Sequence, residues 1–117
     1  MDIEGVRNYC MSKSYVTEDM PFGDDYVTFR VGGKIFCGIP LEKQGVVQLK
    51  CDEKRFDETL ADYSYVEQAW HWHKRHWIQF NLNENVIPDS DVKMLIDRAY
   101  ETVYCRLPKK VKMALTI

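Results

Sequence analysis

The segment YVTFRVGGKIFCGI, residues 26–39, limits the fold more than any other stretch of the chain. Val27, Phe29 and Val31 alternate with Tyr26, Thr28 and Arg30. That two-residue period belongs to a strand with one buried face. Gly32 and Gly33 follow at once, and two adjacent glycines supply the positive φ angles of a tight hairpin turn. The expected unit is an antiparallel hairpin in which Phe29 faces Phe36 and Val31 faces Lys34. GVVQLK, residues 45–50, reads as a third strand entered from the loop between Pro40 and Gly45.

An antiparallel sheet with one apolar face needs a cover, and the rest of the chain supplies helical periods. Ile3, Val6 and Cys10 share one helical face, with Asp2 and Glu4 at the positive N-terminal end. TEDMPFGDD, residues 17–25, breaks the pattern, and Pro21 and Gly23 mark a turn. Asp52 is placed to cap a second helix carrying Phe56, Leu60 and Tyr63. Val92, Leu95, Ile96, Ala99 and Val103 form the strongest amphipathic stripe. It must stop near Leu107, because a proline disfavours helical geometry in the residue before it. Pro108 then opens a short last helix with Val111 and Leu115 inward and Lys109, Lys110 and Lys112 outward. The expectation is an α+β fold, an antiparallel sheet with helices packed on one face, in a single domain over residues 1–117.

AWHWHKRHW, residues 69–77, holds all three Trp and all three His of the chain. It reads as a strand, a turn around Lys74 and Arg75, and a strand through Trp77. On an extended strand His71 and His73 point to one side and Trp70 and Trp72 to the other. Two such imidazoles plus His76 have the donor type of a zinc site. No acidic residue lies in the cluster, Lys74 and Arg75 repel a divalent cation, and no metal or cofactor is expected. A histidine base needs an orienting carboxylate and a reacting partner. None is evident, and VGGK between strands is a hairpin and not a phosphate loop, so the chain is read as no enzyme. Two readings of the cluster stay open. Lys74 and Arg75 meet phosphates while Trp77 stacks on a base, or the three indoles anchor the core beneath a solvated turn.

Charge bears on partners. The net charge is −2, so any nucleic-acid contact must come from a local basic patch. Glu18, Asp19, Asp24 and Asp25 confine such a patch to one side. Cys10, Cys37, Cys51 and Cys105 are too far apart in sequence for a paired zinc knuckle, and buried free thiols are expected. No apolar run is long enough to span a membrane. The start MDIEGVRNYC lacks the basic and apolar regions of a signal peptide, and the expected location is the cytoplasm.

Five segments together resemble the MmcQ/YjbR family of small bacterial proteins: MPFGDD, VGGKIF, LKCDEKRFDETL, HWHKRHW and IDRAYETVYCRLPKKVK. Their order and spacing match over nearly the whole chain. One position departs from the family's usual pattern, His73 standing where Asn is common. The resemblance implies a CyaY-like fold, as in bacterial frataxin, and a double-wing mode of DNA binding. Frataxin-like iron binding does not carry over, because the first helix has only Asp2 and Glu4 as acids. Under the DNA reading, the wings are the Gly32-Gly33 hairpin and the Lys74-Arg75 turn. Lys34, Lys74 and Arg75 contact phosphate, with Lys109, Lys110 and Lys112 as a second contact. His71, His76 and Trp77 shape the turn or touch the groove. The alternative is a small protein- or ligand-binding module that uses an aromatic sheet face and has no nucleic-acid role.

Overall fold

A computed structural model describes residues 1–69, 72 and 75–116. The elements run α1 (Ile3–Ser12), β1 (Val16–Asp19), β2 (Tyr26–Val31), β3 (Lys34–Pro40) and β4 (Val46–Lys50). A 3-10 turn (Glu53–Arg55) then leads into α2 (Phe56–Asp62), β5 (Glu67–Gln68), β6 (Trp77–Asn81), α3 (Asp89–Cys105) and α4 (Lys109–Leu115). The strands form one antiparallel sheet in the order β1-β2-β3-β4-β6-β5. This is the α+β architecture that the strand and helix periods predict.

Alternation along the strands divides the sheet into two faces. Phe29, Val31, Cys37, Ile39, Val47, Leu49, Ile78 and Phe80 enter one buried core. α3 covers that face with Val92, Leu95, Ile96, Ala99 and Val103, the stripe read from sequence. α1 adds Val6 and Cys10, and Phe56 of α2 completes the cluster. Asp2 caps α1 by accepting from the Gly5 amide at 2.8 Å, which satisfies one of the helix's free N–H groups. Burying a side chain of Phe or Leu size contributes roughly 1.5–3 kcal/mol, so this face holds the fold together.

Several expectations are corrected. Phe29 pairs with Cys37 and not with Phe36, because β3 carries one extra residue. The resulting bulge turns both Phe36 and Cys37 into the core, where Phe36 meets the Tyr100 ring edge-on at 5.5 Å. Thr17–Asp19, read as part of a turn, belongs to β1. The strand expected through the Trp/His segment stops at Gln68, and Trp72 lies in a bend. Trp70, His71, His73 and Lys74 fall outside the described residues. Cys10, Cys37 and Cys51 are buried as expected, but Cys105 is exposed at the end of α3. Pro108 stands just ahead of α4 as its cap.

Candidate nucleic-acid interface

Antiparallel register gathers three corners of the chain at one end of the sheet. β2 passes into β3 there through Gly32 and Gly33. β4 ends at Lys50, whose partner Trp77 starts β6 out of the second hairpin. α3 also runs out at this end and turns into α4.

The first turn is firmly seated. Gly32 and Gly33 have φ of +57° and +81°, as the tight turn requires. A β-carbon on Gly32 would come within 2.6 Å of Leu107, whereas Gly33 faces open space. The α3–α4 corner therefore buttresses this hairpin. Lys34 is exposed immediately beyond it.

Between the hairpin and the corner lies a groove of about 450 Å³. Arg30, Lys34, Lys50 and Arg106 bring positive charge to it, over a floor that includes Ile35, Trp77 and Leu107. Arg30 is held by Asp19 at 3.1 Å and donates to the Gly33 carbonyl at 3.0 Å. Arg106 reaches Asp52 at 3.3 Å. Lys50 has no carboxylate partner among the described residues, and its ammonium lies 5.6 Å from the centre of the Trp77 ring. Burial, and then the charge of Arg106, push the Lys50 amine below its ordinary range. Lys109 and Lys110 are exposed on α4 and carry no ion pair among the described residues. Lys112 donates to the Cys105 carbonyl at 3.1 Å.

The second hairpin is differently wired. Arg75 has a φ of +65° and makes two parallel hydrogen bonds to Asp57, at 3.0 and 2.9 Å. The pair holds the Asp57 carboxyl below its usual range and raises Arg75. His76 is half-buried, with its ring 3.8 Å from Glu53, and its carbonyl accepts from the Cys51 amide. Trp77 is 5% exposed and stacks on Trp72 at 4.2 Å, so it is an anchor and not an open platform for a base. His71 and Lys74 lie outside the described residues. The structure thus brings Lys34, Lys109 and Lys110 to one end and adds Arg30, Lys50 and Arg106. Sequence reasoning passed over those three because nothing local marks a strand-end lysine or a helix-end arginine as neighbours.

Acids crowd the other end of the sheet. Asp24 and Asp25 precede β2, Glu42 lies in the β3–β4 loop, Glu84 follows β6, and Asp89 and Asp91 begin α3. Asp2 and Glu4 of α1 border the same loop region. Asp52, Glu53 and Asp57 lie at the basic end itself, against Arg106, His76 and Arg75, so charge is divided between the two ends only in part.

The face away from α3 carries a polar chain. The Tyr26 hydroxyl donates to the Gln48 amide oxygen, and the Trp72 indole N–H lies 2.9 Å from each of them. Gln48 donates to Gln79 at 3.0 Å, and Gln79 to Glu67 at 2.8 Å. Gly38 makes this possible, since any β-carbon there would strike the Tyr26 ring that lies across it. Burial raises the Tyr26 phenol well above its ordinary range. Among the described residues no group of three His, Cys, Asp or Glu could hold a metal ion, and no helix is long and apolar enough to cross a membrane.

Comparison with known proteins gives a consistent lineage. A sequence model described as YjbR matches residues 11–102. The uncharacterized protein YbdF of Escherichia coli O157:H7 is 28% identical over 109 residues, covering 92% of this chain and 88% of that one. The uncharacterized protein YjbR of Escherichia coli K12 is 24% identical, with 98% of each chain covered. A Deinococcus radiodurans crystal structure with a DUF419 domain superposes with a TM-score of 0.86 at 21% identity, over 99% of this chain and 88% of that one. A Pseudomonas syringae crystal structure gives 0.68 at 24% identity, over 85% and 96%. The two solved structures share the fold of this chain, and the chain belongs to the YjbR family.

Proposed function

We propose that the chain is a non-enzymatic DNA-binding protein of the cytoplasm that docks the basic end of its sheet on the phosphate backbone. The observation that carries this reading is the convergence of both hairpins and the α3–α4 corner at one end, with Lys34, Lys50, Lys109 and Lys110 there. Three strand spacings separate the two turns, about 14 Å, which is the scale of the major groove of DNA. Lys34, Lys109 and Lys110 supply the phosphate contacts. Arg75, His76 and Trp77 shape the second hairpin. Contacts of this kind read the backbone and carry little sequence preference.

The test is binding of a labelled random duplex by fluorescence anisotropy across a salt series. Each phosphate neutralised adds about −0.9 to the slope of log affinity against log salt. The variant Lys34→Ala/Lys109→Ala/Lys110→Ala is expected to flatten that slope by roughly 2 to 3. An unchanged slope, or no binding to the native protein at low salt, overturns the reading. A second reading, a ligand-binding module, draws on the aromatic cleft of the open sheet face.

A further inference from the structure

The open face of the sheet holds a cleft of about 470 Å³ that the DNA reading does not use. Its size falls within the range of small-molecule sites, roughly 300–1,000 Å³. Phe22, Tyr26 and Trp72 form its walls, Pro40 and Gln48 contribute to the lining, and Asp25, Glu42 and Lys43 are its charged residues. We propose that this cleft binds a small free organic cation, of the quaternary-ammonium or methylated-amine class.

Three observations converge on that chemistry. The first is ring geometry. Phe22 stands 5.8 Å from Tyr26 and 6.4 Å from Trp72, each at an interplanar angle of 68°. Tyr26 and Trp72 lie 6.1 Å apart at 54°. Three steeply inclined rings make a corner, and the negative faces of such rings attract a cation within about 6 Å of their centres. The second is the use of donors. The Tyr26 hydroxyl and the Trp72 N–H are both spent on Gln48 and on each other, and a Gln48 N–H is given to Gln79. Tyr26 and Trp72 therefore offer π surface to an occupant, their own polar hydrogens being already engaged. The third is charge: among the described residues, two carboxylates, Asp25 and Glu42, line the cleft against one ammonium, that of Lys43. An anion or a carbonyl compound finds little to bind there, whereas a methylated ammonium finds rings for its methyl groups and carboxylates for its charge. Phe22 is 60% exposed, so its ring is reachable from solvent.

The experiment is calorimetric titration of the full chain with choline and with tetramethylammonium, beside the neutral isostere 3,3-dimethyl-1-butanol. The indole N–H resonance of Trp72 is followed by NMR in the same samples. The cations are expected to bind with dissociation constants near or below about 1 mM and to shift that resonance. The isostere is expected to bind roughly tenfold more weakly. Phe22→Ala, at an exposed position that leaves the core intact, should weaken choline binding about fivefold, and Glu42→Gln should weaken it about threefold. Equal binding of choline and its isostere would show an apolar hollow without cation selectivity and overturn the proposal. So would the absence of heat and of any shift of the Trp72 resonance up to about 10 mM cation. DNA binding in the same preparation is read through Lys34, Lys109 and Lys110, none of which lines the cleft, so either proposal can fail alone.

Discussion

The two hairpins at the basic end look alike in sequence, each a turn with cations between strands, yet they differ in what their cations can do. In the first, Gly32 is wedged against Leu107 while Lys34 stands exposed beside a groove lined by Arg30, Lys50 and Arg106. In the second, Arg75 is clamped by Asp57 and packs 5.2 Å from the centre of the Phe56 ring. A positive residue in a turn is therefore not yet a positive surface. Its carboxylate partners decide whether its charge is available, and they lie eighteen or more residues away in the chain.

The largest effect should come from breaking the seat of the first hairpin. Gly32→Val places a branched side chain at positive φ and against Leu107, and should cost about 3 kcal/mol in denaturant unfolding. Gly33→Ala shares the positive φ but meets open space, and should cost only about 1 kcal/mol. Equal losses at the two sites would refute the buttressing contact. Next in size is the contrast between the hairpins in DNA affinity. Lys34→Ala/Lys110→Ala should weaken binding about tenfold at low salt, and Arg75→Ala less than about twofold. The reverse order would move the interface to the second hairpin.

A smaller effect lies in acid. The Asp57 carboxyl is depressed in the folded state, first by its hydrogen bonds from Arg75. A depressed carboxyl adds stability above its unfolded pKa and loses it as pH falls through the folded value. The melting temperature of Asp57→Asn should thus lie below that of the native chain at neutral pH and converge with it in acid. A gap that persists below the carboxylate range would assign the difference to something other than the ion pair. The smallest expected effect is on DNA binding between neutral pH and about pH 6, where imidazoles gain charge. His76 lies beside Glu53 and is not among the proposed phosphate contacts, so affinity should stay flat. A rise toward the acid side would place a histidine among the phosphate contacts.

Much of this fold can be read from residues because its signals are local. The stripe Val92, Leu95, Ile96, Ala99 and Val103 is periodic, and Gly32-Gly33 punctuates the hairpin. β1 escaped because three of its four residues are exposed, which leaves no alternation to detect. The bulge at Phe36 escaped because one inserted residue alters pairing without altering composition. The candidate interface was legible only in part. Lys34, Lys109 and Lys110 are recognisable as exposed cations, but Lys50 and Arg106 meet through the tertiary fold. The clamp on Arg75 likewise depends on where α2 is laid down.

The stack of Trp72 on Trp77 has an optical consequence. Two indoles 4.2 Å apart and 19° from parallel share their excited states. Such a pair gives a split circular-dichroism band in the ultraviolet that vanishes when the rings part. Trp77 belongs to the sheet itself, so the band reports whether the Trp72 ring rests on it. The protein carries its own unlabelled gauge of that contact, readable in solution at every salt concentration and with every occupant offered to the cleft.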